Sequence, residues 1–126
     1  MTEAFPFLAS LNELPGVRAG WVERVPDLPI TGDRDEAMKQ LRPLHEAEVL
    51  SFGGESADWW RAEQVHGNGV ALVPGAPRIV APDGLPAVPG VDGLVTAECG
   101  VVLAIYVADC GAIWLADRRT GAIGLL

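Results

Sequence analysis

The run Val101–Ala108 (VVLAIYVA) constrains this chain more than any other feature. It is apolar on both faces of an extended backbone, so it predicts a central strand covered from two sides. It is also far too short to cross a bilayer, which takes about 20 apolar residues in a helix. The rest of the chain is punctuated by fifteen glycines and ten prolines with no fixed period. That pattern fits many short strands joined by turns and excludes collagen-like or solenoid repeats.

The remaining elements follow from local patterns. Val17–Val25 (VRAGWVERV) alternates as a strand until Pro26 and Pro29 interrupt. Asp33 followed by Glu36 reads as a capping box opening a helix, with Ala37, Met38, Leu41 and Leu44 on one face and an end near Pro43. Val49–Phe52 reads as a strand stopped by Gly53-Gly54, whereas residues 56–61, with Trp59-Trp60, have no firm period. Residues 63–73 suggest two β pieces around His66-Gly67-Asn68-Gly69. Five prolines between 74 and 91 predict a long surface loop, with Arg78–Ala81 as an edge strand at most. Short strands are expected at Asp92–Thr96, Ala112–Ala116 and Ala122–Leu126, the last two joined by a hairpin turn with Gly121 at positive φ. The expected class is α+β: a mixed β-sheet of many short strands packed by a few helices. Because the chain stops on Gly124-Leu125-Leu126 inside an apparent strand, further sequence is expected downstream.

Charge narrows the partners. Nine Lys and Arg against seventeen Asp and Glu give a net charge of −8. Nucleic-acid backbones and anionic membranes select basic faces, so neither is expected as a partner. MTEAFPFLAS has no basic start before its apolar residues, which argues against a secretory signal. Two cysteines, Cys99 and Cys110, make no disulfide framework, and a reducing cytoplasm is the default compartment.

The residues best suited to chemistry are His66, in Gln64-Val65-His66-Gly67, and Cys110, in Val107-Ala108-Asp109-Cys110. Both fall at the ends of β-type segments, where pockets form. Imidazole and thiolate are preferred ligands of zinc and suit copper; the same pair can serve as base and nucleophile in a cysteine hydrolase. The plain alternative is a turn histidine and a small buried cysteine. Asp109 can orient His66 or stand as a strand-end turn residue. Asp92 reads mainly as a loop hydrogen-bonder, Arg24 and Arg42 as salt-bridging residues before phosphate ligands, and Cys99 as core. His45 is expected near a helix C-terminus, facing the dipole, and Trp59-Trp60 as core or loop anchors.

The succession Gln64-Val65-His66-Gly67, Asp92-Gly93-Leu94-Val95-Thr96, Val107-Ala108-Asp109-Cys110, Leu115-Ala116-Asp117 and Gly121 resembles the multicopper polyphenol oxidase (laccase-domain) family, now regarded as purine nucleoside phosphorylases. The resemblance runs from about residue 17 to 126. It implies that residues 1–126 are the N-terminal half of a single laccase domain with a cysteine-hydrolase-like fold, truncated here, and a monomer when full length. It implies a mononuclear metal centre, zinc or alternatively copper, with His66 and Cys110 as two ligands and a second histidine, from an HAGW-type motif, as the third. The catalytic residues implied are Cys110, His66 and Asp109. The implied substrates are small molecules: phosphate and a purine nucleoside such as adenosine, inosine or methylthioadenosine, with adenosine deamination as a further activity. Three features depart from the family pattern: Ala112 stands where a proline is usual, Glu23-Arg24 where Thr-Arg is usual, and the segment between the two ligand motifs is proline-rich and long. Copper-dependent polyphenol oxidation is the rival activity, and an inactive fragment or interaction module the non-enzymatic one. With only two ligands, the chain alone is expected to show little or no activity.

Overall fold

A computed structural model describes residues 6–23, 32–53, 58–107 and 111–126. A 3₁₀ turn at Pro6–Leu8 leads into the one-turn helix α1 (Ala9–Asn12), and a long helix α2 covers Arg34–Gly53. The strands are β1 (Asp58–Arg61), β2 (Val70–Leu72), β3 (Ile79–Val80), β4 (Pro86–Ala87), β5 (Gly93–Thr96), β6 (Val101–Ala104), β7 (Trp114–Ala116) and β8 (Ile123–Leu125). β1 and β6 pair in parallel, β3 and β4 antiparallel, and four strands form a mixed sheet in the order β2-β5-β8-β7. Mixed sheets with helices make the class α+β, as the sequence implies.

The helix begins where its cap predicts, with the Glu36 backbone N–H donating to Asp33 Oδ1 at 3.0 Å. It does not end at Pro43, and the strand expected at Val49–Phe52 is its last turns. Proline removes one donor, but an Arg42–Glu46 pair at 2.7 Å spans the site. Arg18 then donates to the Phe52 carbonyl at 2.8 Å and lies over the Phe52 ring, satisfying one of the orphan carbonyls at the helix end. Met38 is buried while Leu44 is 40% exposed, so the inward face is read from Met38 and not through Leu44.

Other expectations are corrected. Residues 17–23 are not a strand, and Arg24 and Val25 lie outside the described residues. The Asn12 side chain bonds both the N–H and the C=O of Ala19, doing locally what a neighbouring strand would do. The 74–91 segment is no surface loop: β3 and β4 form within it, and Asp83, Leu85, Ala87 and Val88 are buried. Of the two β pieces expected in 63–73, only β2 forms, because Gln64 and His66 have φ of +64° and +59°. β6 is half-buried and, among the described residues, pairs with β1 alone, so it is not a central strand. Cys99 is exposed, carried by a turn with Gly100 at φ +80° and Thr96 Oγ1 accepting from Glu98 N–H. The hairpin turn is as expected: Gly121 has φ +78° and Asp117 N–H meets the Ala122 carbonyl at 2.8 Å.

The core cluster is Trp60, Ala62, Val73, Val88 and Leu94, with Val101 and Leu103 packed against it. One face of the β1–β6 pair thus covers the four-stranded sheet. The other side opens on a cleft of about 1010 Å³ bounded by α2, β6 and the β7–β8 hairpin. Phe7, Trp21 and Trp114 meet edge-on or tilted, with centroids 5.9–6.0 Å apart, and fasten the N-terminal segment to β7.

Candidate functional site

His66 sits in a tight loop that leaves the β1 extension and enters β2. Gly69 lets this loop press on the 90–91 segment, since a Cβ there would meet the Gly90 carbonyl at 2.8 Å. The backbone N–H groups of His66 and Gly67 donate to the two carboxylate oxygens of Asp92, at 2.9 and 2.8 Å. Asp92 is thus the loop hydrogen-bonder its sequence position suggests, and it offsets the unfavourable positive φ of His66. The His66 side chain is exposed, and its ring has no hydrogen-bond partner among the described residues.

The other arm of the loop is held by Gln64. Its side-chain amide donates to the Tyr106 carbonyl at 2.7 Å and accepts from the Tyr106 N–H at 2.8 Å. The side chain thereby imitates a paired strand residue and extends the β1–β6 ladder by one step. Gln64 N–H also donates to Val91 O at 2.9 Å. One residue therefore ties the histidine loop both to the 88–93 segment and to the chain running toward Cys110. Gln64→Leu should leave two backbone groups unpaired and destabilise the protein by about 1–3 kcal/mol, measured by urea denaturation against the parent chain.

Beneath this junction lies a buried ion pair. Arg61 and Asp83 are 6% and 4% exposed and joined by two hydrogen bonds, of 2.8 and 2.7 Å. The guanidinium also donates to Pro86 O at 2.9 Å and lies 5.6 Å from the Tyr106 ring centroid. Burial pushes the Asp83 carboxyl upward, but the Arg61 hydrogen bonds, the Leu85 N–H and the charges of Arg61 and Arg34 outweigh it and hold the group below the usual aspartate value. Burial raises Tyr106.

Asp109 and Cys110 lie outside the described residues, so their separation from His66 is not defined. Among the described residues no group of three or more His, Cys, Asp or Glu side chains could hold a metal ion. The imidazole of His66, without a partner among the described residues, suits a ligand role, but one side chain does not make a site. His45 is not near a helix end: eight residues of α2 follow it, it packs on Tyr106 at 5.3 Å, and burial lowers its pKa. Arg42 pairs with Glu46, and Trp60 is a core anchor. The sequence reading missed the Gln64 clamp and the Arg61–Asp83 pair. A lone glutamine carries no chemical signal, although an arginine directly after Trp59-Trp60 hints at a buried carboxylate partner.

Comparison with known proteins adds a family. Residues 27–126 match the family model of multi-copper polyphenol oxidoreductase laccase. A purine nucleoside phosphorylase of Geobacillus stearothermophilus is 41% identical over 99 residues, which cover 78% of this chain and 35% of the relative. One from Streptomyces coelicolor is 37% identical, over 82% of this chain and 41% of the relative, and one from Mycobacterium tuberculosis 34% identical, over 88% and 42%. The chain thus spans well under half the length of these relatives. No solved structure matches it. No helix among the described residues is long and apolar enough to cross a membrane. A match over most of the chain, together with relatives of this identity, places it: the chain belongs to the multi-copper polyphenol oxidoreductase laccase family.

Proposed function

We propose that residues 1–126 are the N-terminal half of a single laccase-type domain with a cysteine-hydrolase-like fold, and that the whole domain is a metal-dependent purine nucleoside phosphorylase of a reducing cytoplasm. The observation that carries this reading is the loop at His66: its backbone is pinned by Asp92 and Gln64 while its imidazole is exposed and bonds no side chain among the described residues. A histidine held at positive φ in this way is preorganised to ligate. Tyr106, clamped to Gln64, stands four positions before Cys110 in the sequence. The names of the similar proteins favour nucleosides as substrates.

In this reading His66 and Cys110 hold zinc, or alternatively copper, with a third ligand from outside the chain. The bound metal supplies polarisation of a phosphate or water oxygen. Asp109 orients the His66 ring and raises its basicity. In the reaction a phosphate oxygen bonds to C1′ of the nucleoside, the C1′–N9 bond breaks, and the purine leaves with its electron pair and takes up a proton. The second reading, copper-dependent oxidation of phenols, is favoured only by the family's descriptive name.

The test is adenine release from adenosine with and without phosphate. The chain alone should show little or no turnover; robust turnover would refute its incompleteness. Joined to the unmatched remainder of the Geobacillus relative and supplied with zinc, it should turn over in a phosphate-dependent way. His66→Ala and Cys110→Ala should each lower that rate more than about 100-fold, beyond the 10–100-fold typical of losing a ligand's supporting partner. Zinc-loaded fusion without phosphate-dependent release refutes the phosphorylase. Copper-dependent colour with a phenolic substrate and no adenine release would instead establish the oxidase.

A further inference from the structure

β6 has one paired edge and one open edge. Among the described residues its only strand partner is β1, and the four-stranded sheet does not extend to it. All seven consecutive residues from Val101 to Val107 line the 1010 Å³ cleft. A strand that showed the cleft one face would contribute alternate residues only. Tyr106 spends its own N–H and C=O on Gln64, but with β1 on one edge, the backbone groups of alternate residues of β6 have no strand partner among the described residues.

The same cleft collects the buried side-chain atoms that lack partners. His45 Nδ1, Trp59 Nε1 and Tyr106 Oη are the described buried polar atoms without a hydrogen bond, and all three residues line it. They come from three different elements, α2, β1 and the β6 extension, so the deficit belongs to the cleft and not to one misplaced side chain. Native proteins leave few such groups unpaired.

We infer that the open edge of β6 takes an added β-strand from the part of the family domain lying outside residues 1–126, and that this segment fills the cleft. The inference rests on the reading of this chain as part of a longer domain. Three occupants compete. A small molecule such as a nucleoside can engage the three side-chain atoms but cannot satisfy a row of backbone groups. A second copy would bring together two chains each carrying −8. The similar phosphorylases, of which this chain matches 35–42%, carry more than enough further sequence for a strand and its neighbours. β-strand addition supplies the missing ladder and an apolar filling at once.

Hydrogen exchange read by mass spectrometry tests this. The chain alone is compared with the chain joined, through a protease-cleavable linker, to the unmatched remainder of the Geobacillus relative. The amides of 101–107 that neither β1 nor Gln64 already pairs should exchange at least tenfold more slowly in the fusion, while those of 79–87, away from the cleft, stay unchanged. After linker cleavage the two pieces should co-elute. Val102→Asp should abolish both effects, and Val80→Asp, at a residue 75% exposed, neither. Unchanged exchange at 101–107, or separation of the cleaved pieces, overturns the inference. So does equal protection of the chain alone by adenosine or by its own dimerisation. Protection without phosphorolysis leaves the added strand standing and sinks the phosphorylase; phosphorolysis without protection does the reverse.

Discussion

Asp83→Ala is expected to destabilise the protein by about 3–5 kcal/mol, the largest single effect in the molecule. The substitution strands the Arg61 guanidinium, 6% exposed, without its charge partner and removes the acceptor for the Leu85 N–H. Replacing both members, with Arg61→Met and Asp83→Leu, should cost much less, because an apolar pair leaves no unpaired buried charge. Urea denaturation of the three variants measures the difference. If the double variant is as unstable as Asp83→Ala, the pair is not the origin of the loss.

The same pair sets the acid limb of stability. Against the upward push of burial, the Arg61 hydrogen bonds and the Leu85 N–H hold the Asp83 carboxyl below the usual aspartate range in the folded state. A depressed carboxyl contributes stability that is complete above the unfolded value and is lost as pH falls through the folded one. The parent chain should therefore lose stability below about pH 4, and Asp83→Asn should flatten that dependence. The consequence reaches the candidate site, because Arg61 lies under Tyr106 and Tyr106 is the anchor of Gln64.

Leu94→Ala is the second large effect, about 2–5 kcal/mol. Leu94 is fully buried against Trp60, Val73 and Val88, so truncation leaves a cavity where two sheets meet. It also stands two residues beyond Asp92, whose carboxylate holds the His66 loop. Thermal denaturation should show the loss, and exchange at the 66–67 amides should quicken together with exchange in β5. If the loop amides stay as protected as in the parent, the loop is fixed independently of the core.

How much was legible depends on the range of the interaction involved. Asp33 as a cap and Gly121 as a turn were readable because each is decided within three or four residues, by a side-chain acceptor in one case and a missing Cβ in the other. The helix through Pro43 was not, because its far end is held by Arg18, thirty-four positions away along the chain from Phe52. Nor was the 74–91 segment, whose prolines suggest a loop until Asp83 finds Arg61 and pulls the segment inward.

The family was evident from the order of short signatures alone, since residue types and spacing survive without coordinates. The class was evident too, because periodicity and turn residues are local. Tertiary contact determined the rest: that Gln64 completes a ladder with Tyr106, that Arg61 is buried with a carboxylate, and that β6 lies at an edge and not at a centre. An apolar run states that a strand will be covered. It does not state by what, because cover is supplied by residues far along the chain, and hydrophobic burial has no direction of its own.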